Sequence, residues 1–455
     1  MAFHPEILRA YDIRGVVGRT LMPGDGLLAG QSFGTLVRQA GGGPVVVGWD
    51  GRLSSRTLAA WLVEGLVRTG CEVRLAGLGP TPMVFHAALT GGAAGAVMVT
   101  ASHNPADHNG FKFLLGGRQF LDADLRRLAE TAGRGRFAAG KGRAWRLPRA
   151  AAGYVECLAA ELEGRPGLRV VWDTGNGAAG PVLGALAGRL PGRHTLLFAE
   201  VDGRFPNHAP DPGDPANLAA LRRAVLAERA DLGIAIDGDG DRIGIVDGEG
   251  VVVDADQLLA LFAEDVLAAR PGAAVVADVK ASSALFGAVG RMGGRPVMSR
   301  TGRAYVRARM DACGAVLGGE LSGHIIFADR YLAIDDALYA AMRLLRLLAD
   351  GRGRTLAQRR RALPAVVHTP EFRLPVAESA KFRVVADIRR RLIRAGTRFI
   401  AIDGLRVSAA DGWWLLRASN TEAALSARCE AATMDGLARV RSALDDHLRL
   451  CGVGR

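Results

Sequence analysis

The stretch Leu232-Gly233-Ile234-Ala235-Ile236-Asp237-Gly238-Asp239-Gly240-Asp241-Arg242 joins an apolar run to a loop in which every second residue is an aspartate. The apolar run predicts a buried strand, and open α/β sheets bind ligands just past the carboxyl ends of such strands. Glycines between the aspartates let the backbone turn tightly, so the three carboxylates can converge. Three negative charges this close repel each other unless a cation lies among them, and oxygen ligands favour Mg²⁺, Mn²⁺ or Ca²⁺. We therefore predict a metal site at Asp237, Asp239 and Asp241, with a solvated acidic turn as the alternative.

The same order of apolar strand and polar loop recurs through the first two-thirds of the chain. Apolar runs at 45–47, 97–99, 168–172 and 274–277 each end in a polar loop, and helical patterns lie between them. Strands that alternate with helices predict βαβ units and sheets dominated by parallel pairs.

The remainder of the chain predicts linkers and a different module. Stretches 133–149 and 350–363 are poor in packing residues and are expected to link domains, and 204–214 is a Pro-rich loop. The end of the chain predicts a compact α+β module with strands at 371–376 and 424–429, a pair of strands within 399–417, and helices at 381–395 and 434–450.

Composition narrows the class of protein. The chain has 455 residues, of which 49% are hydrophobic and 23% charged, so it is globular rather than disordered. Its formal charge of +12 is spread along the chain, which favours an anionic small-molecule substrate over nucleic acid. No apolar run is long enough for a membrane span, and we find no secretory signal. The five cysteines form no CxxC pair. We expect a cytoplasmic protein without membrane or nucleic-acid partners.

The loop Thr100-Ala101-Ser102-His103-Asn104-Pro105 follows the apolar run at 97–99. This position predicts a serine exposed at the end of a strand. A serine hydroxyl is a weak nucleophile that needs activation or prior phosphorylation. Since no G-x-S-x-G motif surrounds Ser102, a hydrolase elbow is not supported. The alternative is a capping turn.

Two further loops carry groups that can bind a sugar phosphate. In Gly319-Glu320-Leu321-Ser322-Gly323-His324, the glutamate and serine can hydrogen-bond sugar hydroxyls, and His324 can bind phosphate or move a proton. In Arg417-Ala418-Ser419-Asn420-Thr421-Glu422, the arginine, the hydroxyls and the backbone N–H groups can form an anion site. A structured turn and an ordinary surface loop are the respective alternatives.

With these four loops in this order, the chain resembles the α-D-phosphohexomutase superfamily, and within it the bacterial phosphomannomutase/phosphoglucomutase group. The likeness extends from residues 9–15 (RAYDIRG) through 202–208 (DGRFPNH) to 417–421 (RASNT). Phosphoglucosamine mutases tend to carry Gln where this chain has Leu321, so the apolar residue favours the first group. A phosphoglucosamine mutase, or a non-catalytic protein that binds sugar phosphate or nucleic acid, remains the alternative.

The resemblance implies an α/β fold of four domains around a central cleft, three of them related mixed α/β domains and the last a smaller C-terminal α+β domain. We expect residues 1–148 to carry the phosphoserine loop and 149–250 the metal-binding loop. Residues 251–365 would carry the sugar-binding loop and 366–455 the phosphate-binding loop.

The resemblance also implies the activity of an isomerase, an intramolecular phosphotransferase. Such an enzyme interconverts hexose 1-phosphate and hexose 6-phosphate, here of mannose and glucose, through a phosphoserine and a hexose 1,6-bisphosphate. It implies one Mg²⁺ per chain, glucose 1,6-bisphosphate as activator, hexose phosphates as partners and a monomeric protein.

The residue roles follow from the same resemblance. Ser102 would be the phosphoserine and, through its phosphate, would hold Mg²⁺ together with Asp237, Asp239 and Asp241. Arg242 would stabilise the transferring oxygens, and Lys112, Arg14 or His324 would assist proton transfer, with His103 close to Ser102. The residues expected to bind substrate are Tyr11, Lys280, Arg303, Glu320, Ser322, Gly323, Arg417, Ser419, Asn420 and Thr421.

Two positions depart from the family pattern. Arg303 follows Thr301-Gly302 where related enzymes carry His, and an arginine binds phosphate without serving as a neutral proton carrier. Ala423 stands where the family's phosphate loop usually ends in Pro, and we expect the loop to be less rigid there.

Overall fold

The computed structural model describes residues 2–350, 353–419 and 423–453. The chain forms two compact units, the first made of Met1–Val266 with Ser322–Arg360 and the second of Leu267–Leu321 with Arg361–Arg455. Among the described residues, no helix combines the length and the apolar character that crossing a bilayer requires.

The strands are β1 Ile13–Val16, β2 Val45–Trp49, β3 Glu72–Leu78, β4 Gly95–Val99, β5 His108–Leu115, β6 Arg118–Gln119, β7 Arg143–Arg146, β8 Leu168–Asp173, β9 Gly192–Leu197, β10 Leu232–Ile236, β11 Ile243–Asp247, β12 Val252–Val253, β13 Ala274–Asp278, β14 Arg295–Ser299, β15 Leu317–Gly319, β16 Ile325–Phe327, β17 Val367–His368, β18 Phe372–Pro375, β19 Phe399–Ile400, β20 Leu405–Ser408, β21 Gly412–Ala418 and β22 Ala424–Ala431.

The α-helices are α1 Pro23–Gln39, α2 Ser55–Arg68, α3 Thr81–Thr90, α4 Asp122–Arg134, α5 Ala150–Ala159, α6 Gly180–Ala187, α7 Ala219–Glu228, α8 Ala255–Ala269, α9 Ser283–Arg291, α10 Arg303–Cys313, α11 Ala337–Ala349, α12 Leu356–Arg361, α13 Glu378–Arg394 and α14 Met434–Arg449. Short 3-10 helices lie at Pro5–Ile7, Ala160–Leu162 and Pro215–Leu218.

The N-terminal sheet of the first unit has the strand order β1-β5-β4-β2-β3-β7, with β6 beside β5. The pairs β2/β3, β2/β4 and β3/β7 are parallel, whereas β5 runs antiparallel to β4 and β1. Because β2 and β4 are parallel neighbours, the loops after them meet at the same sheet edge.

The core of this sheet is apolar, and close helix packing covers it. Phe33, Phe113 and Phe120 are buried and their rings lie within 5.0–5.7 Å of each other. Helices α1 and α2 approach closely because Gly30 has no side chain. A Cβ on Gly30 would lie 2.1 Å from the carbonyl oxygen of Leu62. An alanine there would force the helices apart.

The second sheet of the first unit has the order β12-β11-β10-β8-β9. Strand β8 is parallel to β9 and β10, and β11 returns antiparallel to β10. The tight return from β10 to β11 is the aspartate loop, so the metal-binding sequence is a sharp strand connection at the carboxyl end of β10.

The second unit contains two sheets. Strands β14, β13 and β15 lie side by side in that order, in parallel pairs. The C-terminal sheet has the order β17-β22-β21-β20-β19 with β18 also on β22, and its pairs are antiparallel. Its core holds Trp414, Leu416 and Leu425 under α13 and α14.

The predicted fold class is confirmed, with three local corrections. The expected linker 133–149 contains β7, which extends the N-terminal sheet beyond β3. The expected linker 350–363 contains α12, where Leu356 and Ala357 are buried. The expected strand pair within 399–417 has a third member, β19, paired with β20. These elements are short and charged, so they have no apolar pattern from which they could be predicted. Strand pairing or packing against other elements stabilises them instead.

Candidate active site

The turn after β4 holds Ser102 in a strained and buried position. Its backbone φ is +53°, a left-handed conformation that a residue other than glycine rarely adopts. The N–H of Ser102 donates to Thr100 Oγ1 at 2.9 Å, and its hydroxyl donates to Asp237 Oδ2 at 2.6 Å. The expectation of an exposed serine is wrong, since Ser102 is 1% exposed. The aspartate loop lies against it, and a Cβ on Gly238 would come within 2.6 Å of the Ser102 carbonyl oxygen.

A buried arginine, Arg52, stabilises this turn through its backbone. Its guanidinium donates to the backbone oxygens of Ser102, Asn104, Pro105 and His108. Its Nε also lies 3.2 Å from Asp50 Oδ2. The arginine therefore fixes the shape of the serine turn through the backbone alone.

Asp50 completes this support. Its carboxylate accepts hydrogen bonds from Thr100 and Ser55 as well as from Arg52. Sequence reasoning missed Asp50 and Arg52. The available signal was their place directly after the apolar run of β2, which is the kind of position that carries ligand loops.

The aspartate loop forms the predicted acidic cluster. One oxygen from each of Asp237, Asp239 and Asp241 lies within 4.8 Å of the other two, and all three side chains are buried. Asp237 Oδ1 shapes the loop by accepting the N–H groups of Gly240, Asp241 and Arg242 at 2.9–3.1 Å. Gly240 has φ of +82°, which the turn requires.

The carboxylate oxygens of this cluster suit a divalent cation, although the Lys112 ammonium already contacts two of the three aspartates. Lys112 on β5 donates to Asp239 Oδ2 at 2.6 Å and also to Asp241. Thr81 at the start of α3 donates to Asp239 as well. The other oxygen of Asp239, Oδ1, is buried and has no hydrogen-bond partner among the described residues. Three converging carboxylates with an unsatisfied oxygen fit a hard cation such as Mg²⁺.

Burial and charge set the protonation of this region. Burial, with the neighbouring charges of Asp241 and Asp239, raises the pKa of Asp237 well above its usual range. His103 has Nδ1 3.4 Å from Ser102 Oγ. Burial and then the nearby cations, Arg242 foremost, lower the pKa of His103 well below its usual range, so its ring is neutral.

Arg242 and His324 form a hydrogen-bonded pair beside the cluster. Arg242 Nε donates to His324 Nε2 at 3.0 Å. Nδ1 of His324 lies 3.0 Å from the Asp241 carbonyl oxygen and 3.2 Å from Asp335 Oδ2, so it carries the proton. No motif in the sequence contains Asp335, and folding of the chain brings its carboxylate to His324.

Arg14 on β1 reaches the serine turn from another side. Its guanidinium donates to Asn104 Oδ1 at 2.6 Å and to Asp12 Oδ2 at 2.7 Å. Tyr11 lies in the turn that precedes β1 and is half-buried. The first unit thus brings together all six residues predicted to be catalytic.

The second unit positions a separate set of predicted residues. Glu320 Oε1 accepts the N–H of Gly302 at 2.5 Å, directly before the buried Arg303 that begins α10. Asp278 at the end of β13 accepts hydrogen bonds from Thr301 Oγ1 and the Leu321 N–H. Burial raises the pKa of Asp278 to about 6. Asp278 therefore ties together the two loops that carry Glu320 and Arg303.

Lys280 is held by two carboxylates in the same unit. Its Nζ lies 3.0 Å from Glu371 Oε2 and 3.9 Å from Asp278 Oδ2. Burial would raise the pKa of Glu371, but the Lys280 charge and the Ser426 hydrogen bond outweigh it and lower that pKa to about 2. Lys280 and Glu371 therefore form a fully ionised pair.

The C-terminal loop is described in part. Arg417 at the end of β21 lies 3.0 Å from Asp403, which also accepts a hydrogen bond from the Thr301 N–H. The Ser419 carbonyl oxygen accepts from Lys381 at 2.7 Å. The predicted residues Asn420 and Thr421 lie outside the described residues.

Ser322 and Gly323 belong to the first unit. Ser322 is half-buried, and the carbonyl oxygen of Gly323 accepts the N–H of Ile243 at 3.1 Å. This bond ties the Gly323 loop to the strand that follows the aspartate loop.

Comparisons with known proteins agree with this geometry. Phosphoglucomutase/phosphomannomutase alpha/beta/alpha domains I, II and III match residues 5–138, 152–250 and 254–367, and the C-terminal domain of that family matches 371–447. A phosphomannomutase/phosphoglucomutase of Pseudomonas aeruginosa is 40% identical over 98% of this chain and 96% of its own. A phosphoglucomutase of Neisseria gonorrhoeae is 36% identical over 96% of this chain and 95% of its own.

A solved structure of a phosphoglucomutase/phosphomannomutase family protein from Burkholderia thailandensis superposes with a TM-score of 0.92. It is 38% identical to this chain and covers 99% of it and 98% of its own length. This chain therefore belongs to the phosphoglucomutase/phosphomannomutase family of hexose phosphate mutases.

Proposed function

We propose that this protein interconverts the 1- and 6-phosphates of mannose and glucose through a phosphorylated Ser102 and a hexose 1,6-bisphosphate. The observation that carries the proposal is the 2.6 Å contact between the Ser102 hydroxyl and Asp237, inside a buried cluster of three aspartates. A hydroxyl placed among metal-binding carboxylates is suited to carry a phosphoryl group. Phosphoryl transfer needs mainly positioning and neutralisation of charge.

The residues of the first unit supply both requirements. Mg²⁺ held by Asp237, Asp239, Asp241 and the phosphate on Ser102 would neutralise charge on the transferring oxygens. Arg242, oriented by its hydrogen bond to His324, adds a guanidinium to the same oxygens. Lys112 balances the carboxylates, and Arg14 lies beside the serine turn.

The transfer breaks the bond between phosphorus and Ser102 Oγ and forms a bond between phosphorus and the free hydroxyl oxygen of the sugar. The proton that the sugar hydroxyl loses is taken up by the Ser102 oxygen. His103, with a neutral ring 3.4 Å from Ser102 Oγ, would relay this proton. Return of the other phosphate from the bisphosphate restores phosphorylated Ser102. Added glucose 1,6-bisphosphate would activate the enzyme because it phosphorylates unmodified Ser102.

Substrate recognition rests on the remaining predicted residues. Glu320 and Ser322 bind sugar hydroxyls, while Arg303, Arg417 and neighbouring hydroxyl groups bind the phosphate that is not reacting. Mannose and glucose differ only at the C2 hydroxyl, so groups that bind O3 and O4 accept both. The protein would act as a monomer in the cytoplasm, with hexose phosphates as its partners.

A coupled assay tests the proposal. Mannose 1-phosphate and glucose 1-phosphate are each supplied with Mg²⁺ and a trace of glucose 1,6-bisphosphate, to wild type, Ser102→Ala and Ser32→Ala. Ser32 is a matched control, because it is a buried serine whose hydroxyl has no hydrogen-bond partner among the described residues. Wild type and Ser32→Ala should form both 6-phosphates, and Ser102→Ala should be slower by about 10³-fold or more.

Two results would contradict the proposal. Full activity of Ser102→Ala would show that the reaction does not proceed through a phosphorylated Ser102. Conversion of glucosamine 1-phosphate in preference to both neutral sugars would assign the protein to the amino-sugar mutases instead.

A further inference from the structure

A cavity lies in the first unit, at the carboxyl ends of β2 and β3. Its volume is about 1020 Å³, and none of the residues predicted to bind metal or substrate lines it. The carboxyl edge of parallel strands is where α/β sheets bind ligands. Gly77 near the end of β3 has φ of +87°, and a Cβ there would meet only open space. The strand end therefore opens directly into the cavity.

Two arginine side chains on the cavity have no charged partner among the described residues. Among its charged lining residues, Asp50 and Arg52 neutralise each other as an ion pair. Arg56 and Arg146 are exposed, and their guanidinium groups make no hydrogen bond or ion pair with any described residue. Two unengaged guanidinium groups on one cavity are suited to bind phosphate oxygens.

Arg56 is carried by the start of helix α2, in a first turn that contains no acidic residue. The helix start itself already faces a carboxylate, because Asp50 accepts hydrogen bonds from the Arg52 N–H and the Ser55 hydroxyl. The positive charge on the cavity is therefore that of Arg56 and Arg146.

The other walls are apolar. Trp49 and Leu75 are half-buried, Leu78 is 42% exposed, and Leu147 continues the surface after β7. Leu78 is the strand partner of Trp49, and two large apolar side chains side by side are suited to contact a flat ring. The cavity volume is at the upper end of small-ligand pockets, so it can hold a ring together with phosphates.

We propose that this cavity binds a nucleoside diphosphate. The diphosphate would lie between Arg56 and Arg146, and the base would lie against Trp49 and Leu78. Arg52 and Asp50 form part of the cavity wall and also hold the turn of Ser102. The cavity wall and the serine turn therefore share these two residues.

Calorimetric titration of the full chain with ADP tests this inference, with adenosine and pyrophosphate as the two halves of the ligand. ADP should bind more tightly than either half and more weakly as salt increases. Arg56→Met and Arg146→Met should each weaken ADP binding by about 10-fold. Arg68→Met at the other end of α2 and Arg143→Met at the other end of β7 are matched controls that should leave it unchanged.

Three results would overturn the inference. These are no ADP binding to the wild type, equal binding to wild type and both cavity variants, and displacement of ADP by glucose 1-phosphate. Pyrophosphate binding as tight as that of ADP would show that the ligand need not contain a nucleoside, because the apolar walls would then contribute nothing to the affinity. Since binding is measured directly, the result does not depend on the proposed mutase reaction.

Discussion

Arg52 Nη2 donates to the carbonyl oxygen of Ser102 at 2.7 Å, although 50 positions separate the two residues. The arginine is 2% exposed, and its charge is balanced by Asp50. A buried guanidinium that satisfies several backbone oxygens holds a loop more rigidly than a neutral side chain can. The strained φ of Ser102 is therefore maintained by a residue that never touches its hydroxyl.

Replacing Arg52 should destabilise the protein and misplace Ser102. In Arg52→Met, Asp50 remains buried without its cation, which should cost about 3–5 kcal/mol in the free energy of unfolding. Arg52→Lys keeps the charge but loses the planar fork, so it should recover part of the stability and little mutase activity. Denaturant unfolding and the coupled assay measure the two effects.

The control for this prediction is Arg68→Met, which removes an exposed arginine paired with Glu64. A surface pair of this kind contributes about 0–1 kcal/mol. If Arg52→Met unfolds at the same denaturant concentration as Arg68→Met, the supporting role of Arg52 is wrong.

Lys112 should make the protein less dependent on metal for its stability. Its ammonium, with a 2% exposed side chain, lies between the buried carboxylates of Asp239 and Asp241. In Lys112→Met with a chelator present, the uncompensated carboxylates should cost about 3–5 kcal/mol. Added Mg²⁺ should then raise the melting temperature of the variant more than that of the wild type, because less positive charge opposes the cation.

The exposed Lys141 provides the matched control for Lys112. Lys141→Met should melt like the wild type with and without Mg²⁺. Equal responses of Lys112→Met and wild type to Mg²⁺ would show that the lysine and the cation do not share the acidic cluster.

The sequence predicts those parts of the site that are local in the chain. The aspartate loop, the serine turn and Arg242 each lie within a few residues of an apolar strand, so a pattern of strand and polar loop identifies them. The fold class follows in the same way, from the alternation of strands with helices.

Other parts of the site are created by the fold. Lys112 meets Asp239 across 127 positions, and Asp335 reaches His324 by a backward turn of the chain. Arg52 donates hydrogen bonds to backbone oxygens, and because every residue has one, such contacts cannot be predicted from the residue types. The resemblance suggested Lys112, and the place of Arg52 after β2 was a signal for a ligand loop, whereas nothing in the sequence indicated Asp335. The same reason explains why β7 was missed, since pairing with β3 holds that charged strand.

Gly323 should tolerate no side chain. It has φ of +92°, and a Cβ there would lie 2.5 Å from the carbonyl oxygen of Ile243. Gly323→Ala should therefore shift the loop away from the strand after the aspartate loop and lower mutase activity by about 10-fold or more. The backbone conformation alone should cost about 1–3 kcal/mol of stability.

Gly18→Ala is the matched control, because Gly18 has φ of +79° with open space where a Cβ would be. It should lose stability by the same backbone strain while keeping its activity. Equal activities of Gly323→Ala and Gly18→Ala would show that the contact with Ile243 does not matter for catalysis.

Asp336 should make stability depend on pH between about 4 and 6. It is 1% exposed and accepts hydrogen bonds from Tyr154, Tyr331 and the Tyr339 N–H. Burial raises its pKa to about 6 from an ordinary 3.8. The folded protein thus binds a proton that the unfolded chain has lost, so this group stabilises the fold below pH 3.8 and that stability is lost as the pH rises through 6.

The shift corresponds to about 3 kcal/mol. Asp336→Asn cannot ionise, so its free energy of unfolding relative to the wild type should rise by about 3 kcal/mol between pH 4 and pH 7. The absolute value at pH 4 should be lower than that of the wild type, because one amide oxygen cannot accept from both tyrosine hydroxyls and the N–H with equal geometry. Urea unfolding of both proteins across this range measures the difference, and a constant difference would show that Asp336 is ionised in the folded protein throughout.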